Sequence, residues 1–173
     1  MNSFDKARLV EERAMAMIVP WLELQSYRGR LVVTEKGLLS EFIQATCGDL
    51  LFNTDPKTVR CIEIKAEQSE YTHNLFLETW SNRVVGGKLG WMFTLKCDLI
   101  GFFFLDTRQL YVFQFPQLWR WCFELGRIYS YPEKPQRKYA QLNKTHGRCV
   151  PIDDLRRDLN SRVIQLPEER GGD

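Results

Sequence analysis

"GDLLFNTDPKTVRCIEIKAEQSE", residues 48–70, is the stretch on which the fold turns. "DLLFN" and "TVRCIEIKA" (58–66) are rich in apolar and β-branched residues, and "TDPK" between them has turn composition, so 49–66 predicts a β-hairpin. Side chains alternate faces along a strand. Cys61, Glu63 and Lys65 therefore share one face, and Ile62, Ile64 and Ala66 share the other. Glu63 and Lys65 fall about 7 Å apart along their face. An isolated charge in a packed strand is costly, so two on one face need a reason. Asp49 opens the partner strand, and a carboxylate there can meet Glu63 across the pair.

Those groups suit a hard divalent cation. Two carboxylates, Asp49 and Glu63, with the backbone carbonyl of Ile64 between Glu63 and Lys65, are oxygen donors of the kind that Mg²⁺ or Mn²⁺ takes while keeping several waters. A cation there lowers the pKa of a water and neutralises phosphate charge, and Lys65 can position that water or stabilise the charge of a phosphate under attack. The plain alternative is a charge pair on a solvated sheet face.

Working outward, residues 3–19 predict a helix. Asp5 lies in its first turn, and Ala7, Val10, Ala14, Met17, Ile18 and Trp21 form one apolar stripe. Pro20 is expected to end or kink it. "RLVV" (30–33) is a short strand and "LLSEFIQATCG" (38–48) a helix stopped by Gly48. "NLFLETW" (74–80) alternates like a third strand. "WMFTLKC" (91–97) fits a short helix or a strand. "DLIGFFFLD" and "QLYVFQF" are strong strands joined by "DTRQ". Pro116 starts a helix that runs to about Leu125 and is closed by Gly126. "VPIDDL" and "RVIQL" are late packing segments. Residues 130–149 are expected to form a basic loop or arm carrying Lys134, Arg137, Lys138, Lys144 and Arg148, and 167–173 a disordered end.

The totals set limits. With 173 residues, 44% hydrophobic and 27% charged, the chain fits one domain with a single sizeable core. A net charge of +2 names no nucleic-acid partner by itself. Five cysteines without a CxxC pair, and no secretory signal at the start, point to reduced thiols and a cytoplasmic protein. No apolar run reaches the roughly 18 residues of a membrane span. "GGKLG" (86–90) lacks the phosphate-loop pattern. Neither His73 nor His146 has a nucleophile at motif spacing. The aromatic residues of 91–123 read as core, with Trp91 and Trp119 able to stack on unpaired bases if exposed.

An acid, a hairpin and then Glu-x-Lys resembles the core of the PD-(D/E)XK nuclease superfamily. The match here is Gly48-Asp49 followed, 14 positions after Asp49, by Glu63-Ile64-Lys65, with Gly48 where the family name has proline. The longer string "GD…EIK…NLFLETWS…GW…CDLIGFFFLDT…LYVF" is similar to small nuclease-like proteins of phages and bacteria. The resemblance implies a restriction-endonuclease-like α/β fold over residues 1–166, a mixed central β-sheet flanked by helices. It implies a divalent-metal-dependent nuclease that hydrolyses DNA phosphodiester bonds without a covalent enzyme intermediate, with Asp49, Glu63 and Lys65 catalytic. Members often add an acid from the first helix. At about 100° per residue Glu11 falls beside the apolar stripe and Glu12 opposite it, so Glu11 is the candidate. Gln44 and Glu78 are auxiliary candidates, Glu78 with Lys65, a metal or solvent as its partner. The basic arm would contact phosphates. A homodimer is the expected state for double-strand cleavage. The competing expectation is a non-catalytic nucleic-acid- or protein-binding module on the same fold.

Overall fold

The computed structural model describes residues 3–26, 29, 31–33, 47–83, 87–136 and 145–168. Helix α1 (Ser3–Gln25) leads into β1 (Leu31–Val33), and then comes the hairpin of β2 (Leu50–Asn53) and β3 (Val59–Glu67). Its turn is fixed by Asp55, whose Oδ1 accepts the N–H groups of Lys57 at 2.8 Å and Thr58 at 2.9 Å. Register is set by burial: Leu50 lies opposite Ile62, which sends Ile62 and Ile64 to the same apolar layer.

β4 (Asn74–Asn82), β5 (Lys88–Leu89) and α2 (Trp91–Thr94) follow. Next are β6 (Leu99–Phe104) and β7 (Gln109–Gln114), then α3 (Phe115–Trp119) with a wider π-helical turn over Arg120–Glu124. Gly126, at φ 66°, ends that helix as expected. The chain closes with β8 (Glu133–Pro135), β9 (His146–Pro151), α4 (Ile152–Asp158) and β10 (Ser161–Gln165).

The fold is mixed α/β with two sheets among the described residues. The larger has six strands in the order β1-β2-β3-β6-β7-β10, and of these neighbours β3 and β6 alone run parallel. A parallel pair needs a long crossover, and β4, β5 and α2 are carried in it. The smaller sheet, β5-β4-β9-β8, is antiparallel. One face of the large sheet packs Leu50, Phe52, Ile62, Ile64, Phe103 and Leu110 against Ala14, Ile18 and Leu22 of α1. The other packs Ile100, Phe102, Phe104 and Phe113 against the second sheet, α2, α3 and α4 through residues such as Leu75, Leu77, Met92 and Leu118.

Three expectations change. Helix α1 runs through Pro20 to Gln25, because the buried stripe of Ala14, Ile18 and Leu22 continues across the proline and offsets its lost hydrogen bond. The segment 130–149 is not simply an arm, since both its ends are strands. Pro135 sits on an edge strand, where a missing N–H is tolerated. Gly147 lets β9 lie against β4, for a Cβ there would meet the Leu77 carbonyl oxygen at 2.5 Å. The strand expected at 74–80 belongs to the second sheet rather than to the central one. The helix expected at 38–48 lies outside the described residues apart from helical Cys47 and Gly48. Pro167 and Glu168 of the expected tail are described, and the Pro167 carbonyl accepts from Arg108.

A buried polar cluster ties the loop after β3 to the β6–β7 turn. Glu70 accepts from the Tyr111 hydroxyl and from Thr107 Oγ1 at 2.9 Å, and Asp106 accepts the Glu70 N–H at 3.1 Å. Among the described residues no helix is long and apolar enough to cross a membrane.

Candidate active site

The hairpin brings Asp49 close to Glu63. Leu50 opposes Ile62, and Asp49, one residue before it, lies near enough for its charge to raise the Glu63 carboxyl. Gly48 makes this entry possible. It has φ 86°, and a Cβ on it would lie 2.9 Å from the Ile62 carbonyl oxygen. The Asp49 N–H donates to that carbonyl at 3.0 Å, and the Ile64 N–H donates to Asp49 Oδ2 at 2.8 Å. Both acids are buried, Asp49 to 8% exposure and Glu63 to 7%.

Backbone groups two residues apart on a strand point the same way. Ile62 turns its carbonyl toward β2, so the N–H and C=O of Ile64 face the same edge, where Asp49 enters. The Asp49 carboxylate and the Ile64 backbone thus meet at the start of β2, with the Glu63 carboxyl near enough to feel the Asp49 charge. These are hard oxygen donors and fit a divalent cation that keeps waters in its other positions. Among the described residues, no three His, Cys, Asp or Glu side chains form a metal-holding group. The donor set here has two such side chains, with a main-chain oxygen as its third member.

Lys65 completes the group. Its ammonium donates to Glu63 Oε1, and its side chain keeps 32% of its surface exposed. Burial is the strongest influence on Glu63 and pushes its carboxyl above the ordinary range. Lys65 opposes this, while the charges of Asp49 and, more weakly, Glu11 add to it. On Lys65 burial pulls the ammonium down, but Glu63, Asp49 and Glu78 together outweigh it and the net shift is upward. The cluster is therefore two buried acids whose mutual repulsion one lysine partly relieves.

A second wall comes from the smaller sheet. Glu78 on β4 also has its carboxyl raised by burial, against the lowering effects of Lys65 and of the Trp91 N–H, which donates to it. The Lys65 ammonium lies over the Trp91 indole, 5.6 Å from the ring centroid. Gly90 permits this close approach of α2 to β4, because a Cβ there would sit 2.5 Å from the Glu78 carbonyl oxygen. Cys97 is buried against the Glu63 N–H, and burial pushes its thiol up to about 12.

The remaining candidates divide. Glu11 is exposed rather than turned into the core edge, although its charge reaches Glu63. Glu12 is at the surface, paired with Arg8 at 3.2 Å. Gln44, Arg137, Lys138 and Lys144 lie outside the described residues. Lys134 is exposed on β8. Arg148 is turned inward: it donates to the Tyr131 carbonyl, pairs with Glu133 at 3.8 Å and stacks on Tyr129. Asp98 secures the start of β6 by accepting the Cys61 N–H at 2.9 Å. Sequence reasoning did not assign Cys97 to this group, and no motif spacing ties it to Glu63. Trp91 was legible as a possible stacking residue, but not as the floor beneath Lys65.

No family model matches this chain, and no curated protein or solved structure matches it significantly.

Proposed function

We propose that this chain is a divalent-metal-dependent nuclease that hydrolyses DNA phosphodiester bonds, in the manner of the PD-(D/E)XK superfamily that its hairpin resembles. One observation carries it: Asp49, whose Oδ2 accepts the Ile64 N–H, and neighbouring Glu63 are both buried, and Lys65 donates to Glu63 beside them. Burying two like charges side by side opposes folding, and a bound cation is the simplest compensation. Asp49, Glu63 and the Ile64 carbonyl would hold Mg²⁺ or Mn²⁺, which supplies charge neutralisation at the phosphate and acidifies water.

The chain's own groups do the rest. Lys65, steadied by Glu63, Glu78 and the Trp91 ring, presents a fixed ammonium that orients water or stabilises charge growing on the phosphate. Asp49 is oriented by the Ile64 N–H, so the carboxylate is positioned before substrate arrives. Glu11 supplies a further negative charge at the rim. Lys134 is the exposed member of the basic segment for backbone phosphates, whereas Arg148 serves packing.

The test is to incubate the protein with supercoiled plasmid and with single-stranded DNA in Mg²⁺, Mn²⁺ or EDTA. Cleavage that needs the metal and disappears in Glu63→Gln and Lys65→Ala, with circular dichroism unchanged, is the expected result. A salt-sensitive gel shift without cleavage under any metal condition overturns it in favour of a binding module. Cleavage of equal rate in both variants also overturns it.

A further inference from the structure

Beside the acids a cavity of about 210 Å³ opens between β3, β4 and α2, with Lys65 on the wall it shares with the carboxylate pair. It is smaller than the roughly 300–1,000 Å³ that holds a drug-sized ligand, so its occupant is one small ring system. Its walls include three aromatic side chains, Trp91, Phe76 and Phe102. Phe76 and Glu78 alternate along β4 with fully buried Leu75 and Leu77, so half-buried surface is kept on the cavity side while the other side fills the core. The amides of Asn74, whose nitrogen also donates to the Thr72 carbonyl, and Gln136 stand with Glu78 on the lining and supply polar groups. Aromatic surface for a flat face, amides and a carboxylate for a polar edge, and an ammonium at the exit match a nucleobase followed by its phosphate.

We propose that this cavity is a nucleobase pocket and that the substrate is single-stranded DNA, one unpaired base of which stacks at Trp91 while the neighbouring phosphate lies at Lys65. The substrate class rests on the nuclease reading above. The pocket admits one base and not a base pair, so duplex would have to be unstacked and unpaired first, and single strands avoid that cost.

The experiment measures fluorescence anisotropy of a labelled single-stranded 15-mer and of the corresponding duplex in EDTA, where metal-dependent cleavage is absent. The single strand should bind more tightly. Trp91→Ala should weaken it by about 5- to 150-fold, the range of base–aromatic stacking, and Trp91→Phe should restore most of the loss. A second reading needs no variant: the single strand with 2-aminopurine at successive positions should be quenched on binding the wild-type protein. Equal affinity for duplex and single strand, or no quenching at any position under saturation, overturns the pocket. Cleavage of the same strand in Mn²⁺, wild type against Glu63→Gln, is scored separately. Cleavage without Trp91 dependence sinks the pocket and leaves the nuclease. Trp91-dependent binding without cleavage leaves the pocket and sinks the nuclease.

Discussion

Replacing Gly48 by alanine tests how the site is built. Gly48 has φ 86°, where an L-residue costs about 1–2 kcal/mol. The new Cβ would stand 2.9 Å from the Ile62 oxygen and 3.0 Å from the Glu63 nitrogen, both backbone atoms in the middle of a sheet. They have no rotamer to move to, so the start of β2 must lift away from β3. The hydrogen bond from the Ile64 N–H to Asp49, 2.8 Å long, should break first. A hydrogen bond to a charged group contributes about 1.5–3 kcal/mol, so the combined destabilisation is about 2.5–5 kcal/mol. For a domain of this size that lowers Tm by about 5–20 °C. Gly126→Ala is the matched control. Its φ is 66°, but the nearest atom to a new Cβ is Tyr129 Cδ2 at 3.7 Å, an ordinary van der Waals distance. It should show only the conformational part, about 1–2 kcal/mol. Thermal unfolding by circular dichroism, both variants side by side, reads the difference. A Gly48→Ala protein that melts no lower than Gly126→Ala would refute the tight-entry account of Asp49.

Two further outcomes follow from the buried charges and thiols. Lys65→Met removes the main influence that lowers Glu63 and leaves burial and Asp49, so the Glu63 carboxyl should titrate higher still. A raised acid contributes stability below its ordinary 4.5 that is lost as pH rises through the raised value, so the variant should fall further behind wild type as pH rises above 4.5 in urea unfolding. A constant or narrowing gap contradicts this. Cys97 and Cys122 are buried, with thiols pushed up to about 12 by desolvation, so mass spectrometry after alkylation near pH 8 should find both unlabelled until denaturant is added. Native labelling of either at its denatured rate contradicts that placement.

Much of the central sheet was legible because its strands obey local rules. The β2–β3 hairpin could be read from alternation and a turn in which Asp55 holds two N–H groups. The runs 99–104 and 109–114 are apolar enough to be strands in any setting. That Asp49 comes near Glu63 was legible because the two residues flank the apolar pair Leu50 and Ile62 that sets the hairpin. The second sheet was not, since β8 and β9 lie in a polar, proline-containing segment and gain their strand geometry from pairing with β4 and with each other. The parallel β3–β6 pair joins residues more than thirty apart, and nothing local records that choice. Pro20 was read as an end or a kink because its local cost is visible and the tertiary burial of Ile18 and Leu22 is not. Glu78 was legible as an acid needing a partner. That Gly90 brings Trp91 against it, and so builds the wall facing Lys65, depends on a close approach of two backbone segments that spacing does not encode.

The most direct measurement of the central claim is Mn²⁺ binding, followed by isothermal titration and by the fall in the electron paramagnetic resonance signal of free Mn²⁺. Wild-type protein should bind the ion, and the nearly isosteric Asp49→Asn and Glu63→Gln, once circular dichroism shows each folded, should each bind it far more weakly. Binding of the same strength in both variants, or none in the wild type, would contradict a cation held between these two carboxylates.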